Sequence, residues 1–143
     1  MTDSDLTRFV TAQNEVLDDV EAELAAGHKR SHWMWFVFPQ LAGLGRSPTA
    51  QHFAILDLDE ARRYLADPVL GPRLLRHVRL ILEHKDKSAH AILGTPDDLK
   101  FHSCLTLFQR AAMNDDEARI FDDALGQFYG GKPDPHTLAL LGV

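Results

Sequence analysis

The chain has 143 residues, 45% of them hydrophobic, and a formal charge of -6, which suits one ordinary domain able to bury a core without staples. The negative balance makes nucleic acid an unexpected partner, and the lone cysteine, Cys104, excludes an internal disulfide. The longest apolar run, seven residues from Trp33 to Pro39, is too short to cross a membrane, and the acidic start lacks a secretory pattern, so a reducing cytoplasm is the expected location.

From Leu6 to about Ala26 the apolar positions Phe9, Val10, Val16, Leu17, Val20 and Leu24 follow helical spacing, and Gly27 supplies the positive φ that stops a helix. Next comes Ser31-His32-Trp33-Met34-Trp35-Phe36-Val37-Phe38-Pro39-Gln40, which holds both tryptophans and four of the twelve aromatics. A strand here would need a pairing partner, and no second β-rich run of similar strength exists, so a helical or irregular core-threading segment is expected. Ser47-Pro48 reads as an N-cap with Pro at the first helical position, and Asp57 with Glu60 as a capping box.

Asp67-Pro68 opens a long helix to about His84, expected to be central, with Leu70, Leu74, Val78 and Ile81 inward and Arg73, Arg76 and Arg79 on a solvated ridge. Ser88 to Leu93 gives one or two turns closed by Gly94. Thr95-Pro96 then starts a helix whose Phe101, Cys104, Leu105, Phe108 and Ala112 form one stripe. A helix from about Asp116 to Tyr129 ends at Gly130-Gly131, and Asp134-Pro135 caps a last short one. The expected fold is all-α: a single compact multihelical domain over residues 1–143.

Several segments together, namely the Trp-rich decapeptide, Gly43-Leu44-Gly45-Arg46-Ser47, Leu70-Gly71-Pro72-Arg73-Leu74, Pro96-Asp97-Asp98-Leu99-Lys100 and Thr106-Leu107-Phe108, resemble a bacterial family. It is a domain of unknown function of mainly helical conserved hypothetical proteins, sometimes labelled calpastatin, a label that a compact domain of this composition does not fit. The resemblance runs from about Phe9 to Leu141 and implies the fold but no activity. His102-Ser103-Cys104-Leu105 departs from the family pattern, which has a basic residue, two serines and a methionine there.

Core packing alone can explain the aromatic block, since burial of each ring contributes about 2 to 3 kcal/mol. The functional alternative makes Trp33, Trp35, His32 and Gln40 one wall of a pocket, while Arg46, Ser47, Lys29 and Lys100 hold an anionic group. Indoles stack on planar rings, and the Gly-rich turn into a helix start, with Arg46 beside it, is a candidate anion seat. The leading expectation is therefore an anionic, nucleotide-like small molecule as partner. The alternative partner is a protein docked on an exposed aromatic patch.

No cofactor is indicated. A metal is not expected either, because Gly27 breaks the helix that would align His28 with His32. If the protein is catalytic, His32 is the candidate acid or base, as imidazole titrates near neutrality. Lys29 and Arg30 otherwise offset a helix dipole, Lys100 and Ser103 face a cleft or, by preference, solvent, and acid pairs such as Asp97-Asp98 read as caps and solvated faces.

Overall fold

A computed structural model describes residues 6–142, and these form nine helices with no strand beyond one isolated bridge. Helix α1 (Thr7–Ala26) ends at Gly27 in the left-handed region, φ 71°. A Cβ there would lie 2.9 Å from the His84 ring, so the glycine is required by both conformation and space. His84 and Lys87 hydrogen-bond the Leu24 and Gly27 carbonyls at 2.7 and 3.2 Å. They take the role that the sequence suggests for Lys29 and Arg30.

The decapeptide follows as irregular chain around the single turn α2 (Met34–Val37). Trp33, Met34, Val37 and Phe38 are buried, and Phe38 meets Trp33 and Phe101 edge-on or tilted. Two side chains of α1 fasten it. Glu23 accepts hydrogen bonds from the Arg30 and Ser31 amides, the Ser31 hydroxyl and the Trp33 indole. Buried Gln13 donates to the Phe36 carbonyl at 2.7 Å and to the Tyr64 hydroxyl at 3.0 Å. The far end is pinned by a parallel bridge, Ile55 N–H to Gln40 O and Ala42 N–H to Ile55 O, both 2.8 Å.

The capping residues act largely as their sequence dictates. Ser47 caps α3 (Pro48–His52) and Asp57 caps α4 (Leu58–Ala66), although Glu60 reaches back to the Leu56 amide rather than to Asp57. Asp67 accepts the first amides of α5 (Leu70–Leu82), Ser88 caps α6 (Ala89–Leu93), Asn114 caps α8 (Asp115–Tyr129), and Asp134 caps α9 (Pro135–Leu141). Gly71 lets the start of α5 touch the end of α4, where a Cβ would sit 2.1 Å from the Leu65 carbonyl oxygen.

Helix α7 (Asp97–Ala111), rather than α5, is the most enclosed: Ser103, Thr106 and Leu107 are buried as well as Phe101, Cys104, Leu105 and Phe108 of the expected stripe, because α4, α6, α8 and α9 all pack on it. Ala111 rather than Ala112 closes the stripe, because the helix ends there. Helix α5 packs between α1, α4 and α8. Its arginine ridge is not simply solvated, since Arg73 reaches Gln13 and Asn14, and Arg76 pairs with Glu21. No helix among the described residues is long and apolar enough to cross a membrane.

Candidate functional site

The loop before α7 and the first turns of α7 face the decapeptide across two adjoining hollows. The first, about 400 Å³, is lined by Lys29, His32, Trp35, Asp97 and Lys100 among others. The second, about 610 Å³, is lined by Gln40, Arg46, Lys100, His102, Asp134 and His136, with Gly43–Gly45 on one side. Pro96 and Lys100 belong to both. Six of the residues singled out in the sequence, Lys29, His32, Trp35, Gln40, Arg46 and Lys100, therefore meet at one groove although they come from separate segments.

Two do not. Trp33 is fully buried, so it backs the groove instead of lining it. Ser47 spends its hydroxyl on the Ala50 amide at 3.1 Å, so the helix start expected to seat an anion is already satisfied. Arg46 instead contributes to the second hollow.

The two lysines differ in kind. Lys29, with a side chain only 7% exposed, pairs with Asp97 Oδ2 at 2.8 Å, donates to the Ser31 carbonyl and lies 4.9 Å over the Trp33 ring. It is saturated and cannot be offered to a ligand without breaking the wall. Lys100 is more exposed; its Nζ lies 4.0 Å from Asp97 Oδ1 and 5.1 Å over the Trp35 ring. At those separations neither contact is a close ion pair, so the ammonium keeps donors for another acceptor.

The expectation of a solvated face for Asp97 is corrected: its carboxylate lies between both lysines, while neighbouring Asp98 turns toward the Leu99 amide and His90. Lys100 and Ser103, for which solvent is the preferred expectation and a cleft the alternative, both face the second hollow, and Ser103 is buried. His32 is exposed at the mouth of the first hollow, with no side-chain hydrogen bond among the described residues to orient its ring.

Glu23 sets the position of this wall. Burial disfavours its charge, but the hydroxyl and amide of Ser31, the Arg30 amide and the Trp33 indole outweigh that penalty and hold its pKa at about 2. At the other end Asp134 behaves similarly. Burial raises its pKa, yet the Thr137 hydroxyl and amide and the Ser103 hydroxyl bring it below the usual carboxylate range. The Asp134 amide in turn donates to Thr106 Oγ1 at 2.8 Å, so buried polar groups of α7 position the start of α9.

His102 stacks on Tyr129, with ring centroids 4.1 Å apart, and approaches the Lys132 carbonyl at 2.7 Å. His102, Asp134 and His136 line the groove although sequence reading did not single them out for it. Asp134 reads in the sequence only as a helix cap, while for His102 the signal is the departure from the family pattern at 102–105. Cys104, which shares that segment, is sealed in the core, and burial pushes its thiol pKa up, so it is inert.

A third hollow, about 360 Å³, lies between Leu56, Leu58 and Leu140, with Asp57 and Asp59 at its edge. Its lining is leucines, Ala42 and two aspartates without a cation, so the groove at Lys100 is the better match to an anion.

Comparison with curated proteins finds no match. Among solved structures, the conserved hypothetical protein Rv1873 from Mycobacterium tuberculosis is similar to this chain, with 50% identity, coverage of 97% of each chain and a TM-score of 0.93. Residues 3–141 match the family described as protein of unknown function (DUF1810). The chain therefore belongs to the DUF1810 family.

Proposed function

We propose that the groove binds a small anionic, nucleotide-like ligand, with a planar ring against Trp35 and the anionic group held by Lys100 and Arg46. The observation that carries this reading is the position of Lys100: it lines both hollows, covers the Trp35 ring at 5.1 Å and has no close ion partner among the described residues. An aromatic face beside an under-committed cation suits a ring attached to a phosphate. Lys29 and Asp97 are the frame that keeps this wall in place rather than ligand contacts. The reading concerns binding, with His32 as the candidate acid or base if a reaction follows. We place the protein in the cytoplasm, where a reducing environment suits its buried free Cys104.

A protein docked on an aromatic patch is the weaker alternative. The large apolar side chains exposed among the described residues are Leu56, Val69, Leu99, Met113 and Leu140, none of them aromatic. Titration calorimetry with adenosine 5'-monophosphate and inorganic phosphate tests the proposal. Binding to the wild type that is lost in Lys100→Ala is the expected result. Absence of binding by any member of a broad panel of nucleotides and sugar phosphates removes the reading.

A further inference from the structure

The groove is chemically divided. On the Lys100 side it presents donors, the Lys100 ammonium and the Arg46 guanidinium. On the α9 side, beside the exposed His136, it presents acceptors on Asp134 and His102. The hydrogen bonds to the Asp134 carboxylate among the described residues all fall on Oδ2, from Thr137 N at 3.0 Å, Thr137 Oγ1 at 2.7 Å and Ser103 Oγ at 3.1 Å, which leaves Oδ1 uncommitted. His102 has the same character. A carbonyl oxygen can only accept, so the bond to Lys132 O requires the proton on Nε2, and in the neutral ring Nδ1 is a free lone pair.

Donors at one end call for an anion. Acceptors at the other end repel a second anion and call for O–H or N–H groups. We propose that the α9 end is a hydroxyl-reading subsite: Asp134 Oδ1 and His102 Nδ1 accept from the hydroxyls of a sugar whose phosphate lies at Lys100 and Arg46. The ligand class is then a phosphorylated sugar, free or as part of a nucleotide. This inference rests on the anion-binding reading of the same groove and adds the part of the ligand that selects among anions.

Packing makes the subsite fixed rather than adaptable. Asp134 is tied to buried Ser103 and Thr106 of α7, and the His102 ring is clamped between the Tyr129 face and the Lys132 carbonyl. Acceptors held this way discriminate by leaving themselves unpaired when the hydroxyl is missing.

Titration calorimetry with inorganic phosphate, ribose 5-phosphate and adenosine 5'-monophosphate tests it on the wild type, Asp134→Asn, His102→Phe and Lys100→Ala. Asn is as good an N-cap as Asp and Phe retains the stack on Tyr129, so both variants are chosen to fold, which melting temperatures will verify. The wild type should prefer ribose 5-phosphate over inorganic phosphate by about tenfold or more, the scale of a hydrogen bond to a charged group. Asp134→Asn should erase most of that preference while leaving phosphate binding equal or tighter, and His102→Phe should reduce it in part.

An unchanged sugar-to-phosphate ratio in Asp134→Asn overturns the subsite while the anion site stands. Unchanged binding of all three probes in Lys100→Ala, or no binding by the wild type, overturns both. Trp35→Ala separates the two sources: selective weakening of the nucleotide identifies a base on the indole, and equal behaviour of both ligands identifies the free sugar phosphate.

Discussion

The Glu23 carboxylate accepts the indole N–H of Trp33 at 3.0 Å, and by the same group it holds the chain on either side of Ser31. One acid on α1 thus determines where the decapeptide enters the core. Glu23→Ala leaves several donors without their acceptor and should lower unfolding free energy by about 3 kcal/mol in urea titrations. Glu23→Gln, which retains one acceptor oxygen, should lose less.

Acid should destabilise the protein in two separable stages. Buried His77 has its pKa lowered to about 4, first by desolvation against the opposing pull of Glu21. It binds a proton more readily unfolded than folded, so stability rises with pH across its window and falls as pH drops from about 6.5 toward 4. Near pH 4.5 the loss should reach about 2 kcal/mol. Below 4.5 Glu23 and Glu21, whose folded pKa values are depressed, add a second decline, in the case of Glu23 continuing to about pH 2. Urea midpoints from pH 7 to 3 check this, and His77→Leu should flatten the portion above 4.5.

Two glycine replacements should move stability in opposite directions. Gly71→Ala drives a methyl into the Leu65 carbonyl and should cost about 2 to 3 kcal/mol. Gly126 lies inside α8, where an added methyl would meet nothing within 4 Å, so Gly126→Ala should gain about 0.5 to 1 kcal/mol. Thermal melts of the two variants against the wild type decide the matter.

The two indoles should report different environments. Trp33 is sealed and Trp35 half-buried at the groove. Acrylamide should quench one component of the emission, and the Trp35→Phe variant should retain only the protected one.

The lysines should separate as well. Lys29→Ala strands Asp97 in a largely enclosed site and should lower stability by about 3 kcal/mol. Lys100→Ala, whose ion contact with Asp97 is at 4.0 Å, should leave the urea midpoint within about 0.5 kcal/mol of the wild type.

Much of the helical frame was legible because its signals are local. Ser47, Asp57, Ser88 and Asp134 cap the helices their side chains predict, and Gly27 stops α1. What escaped was every polar group whose role depends on a distant partner. Glu23 and Gln13 look ordinary on a helical wheel, and nothing near Asp97 in sequence announces Lys29. The far half of the groove was hidden for the same reason: His102 and Asp134 become neighbours only when α9 folds back on α7. Trp33 and Trp35, two residues apart, looked equivalent, but the indole bond to Glu23 sends one inward and leaves the other at the rim.

Because the Trp-rich segment is riveted to α1 at Glu23 and Gln13 and to Ile55 beyond, this wall of the groove is set by the fold itself. A guest of the proposed kind would have little chain to organise, so the entropy of association would fall on its own immobilisation and on the Lys100 and Arg46 side chains.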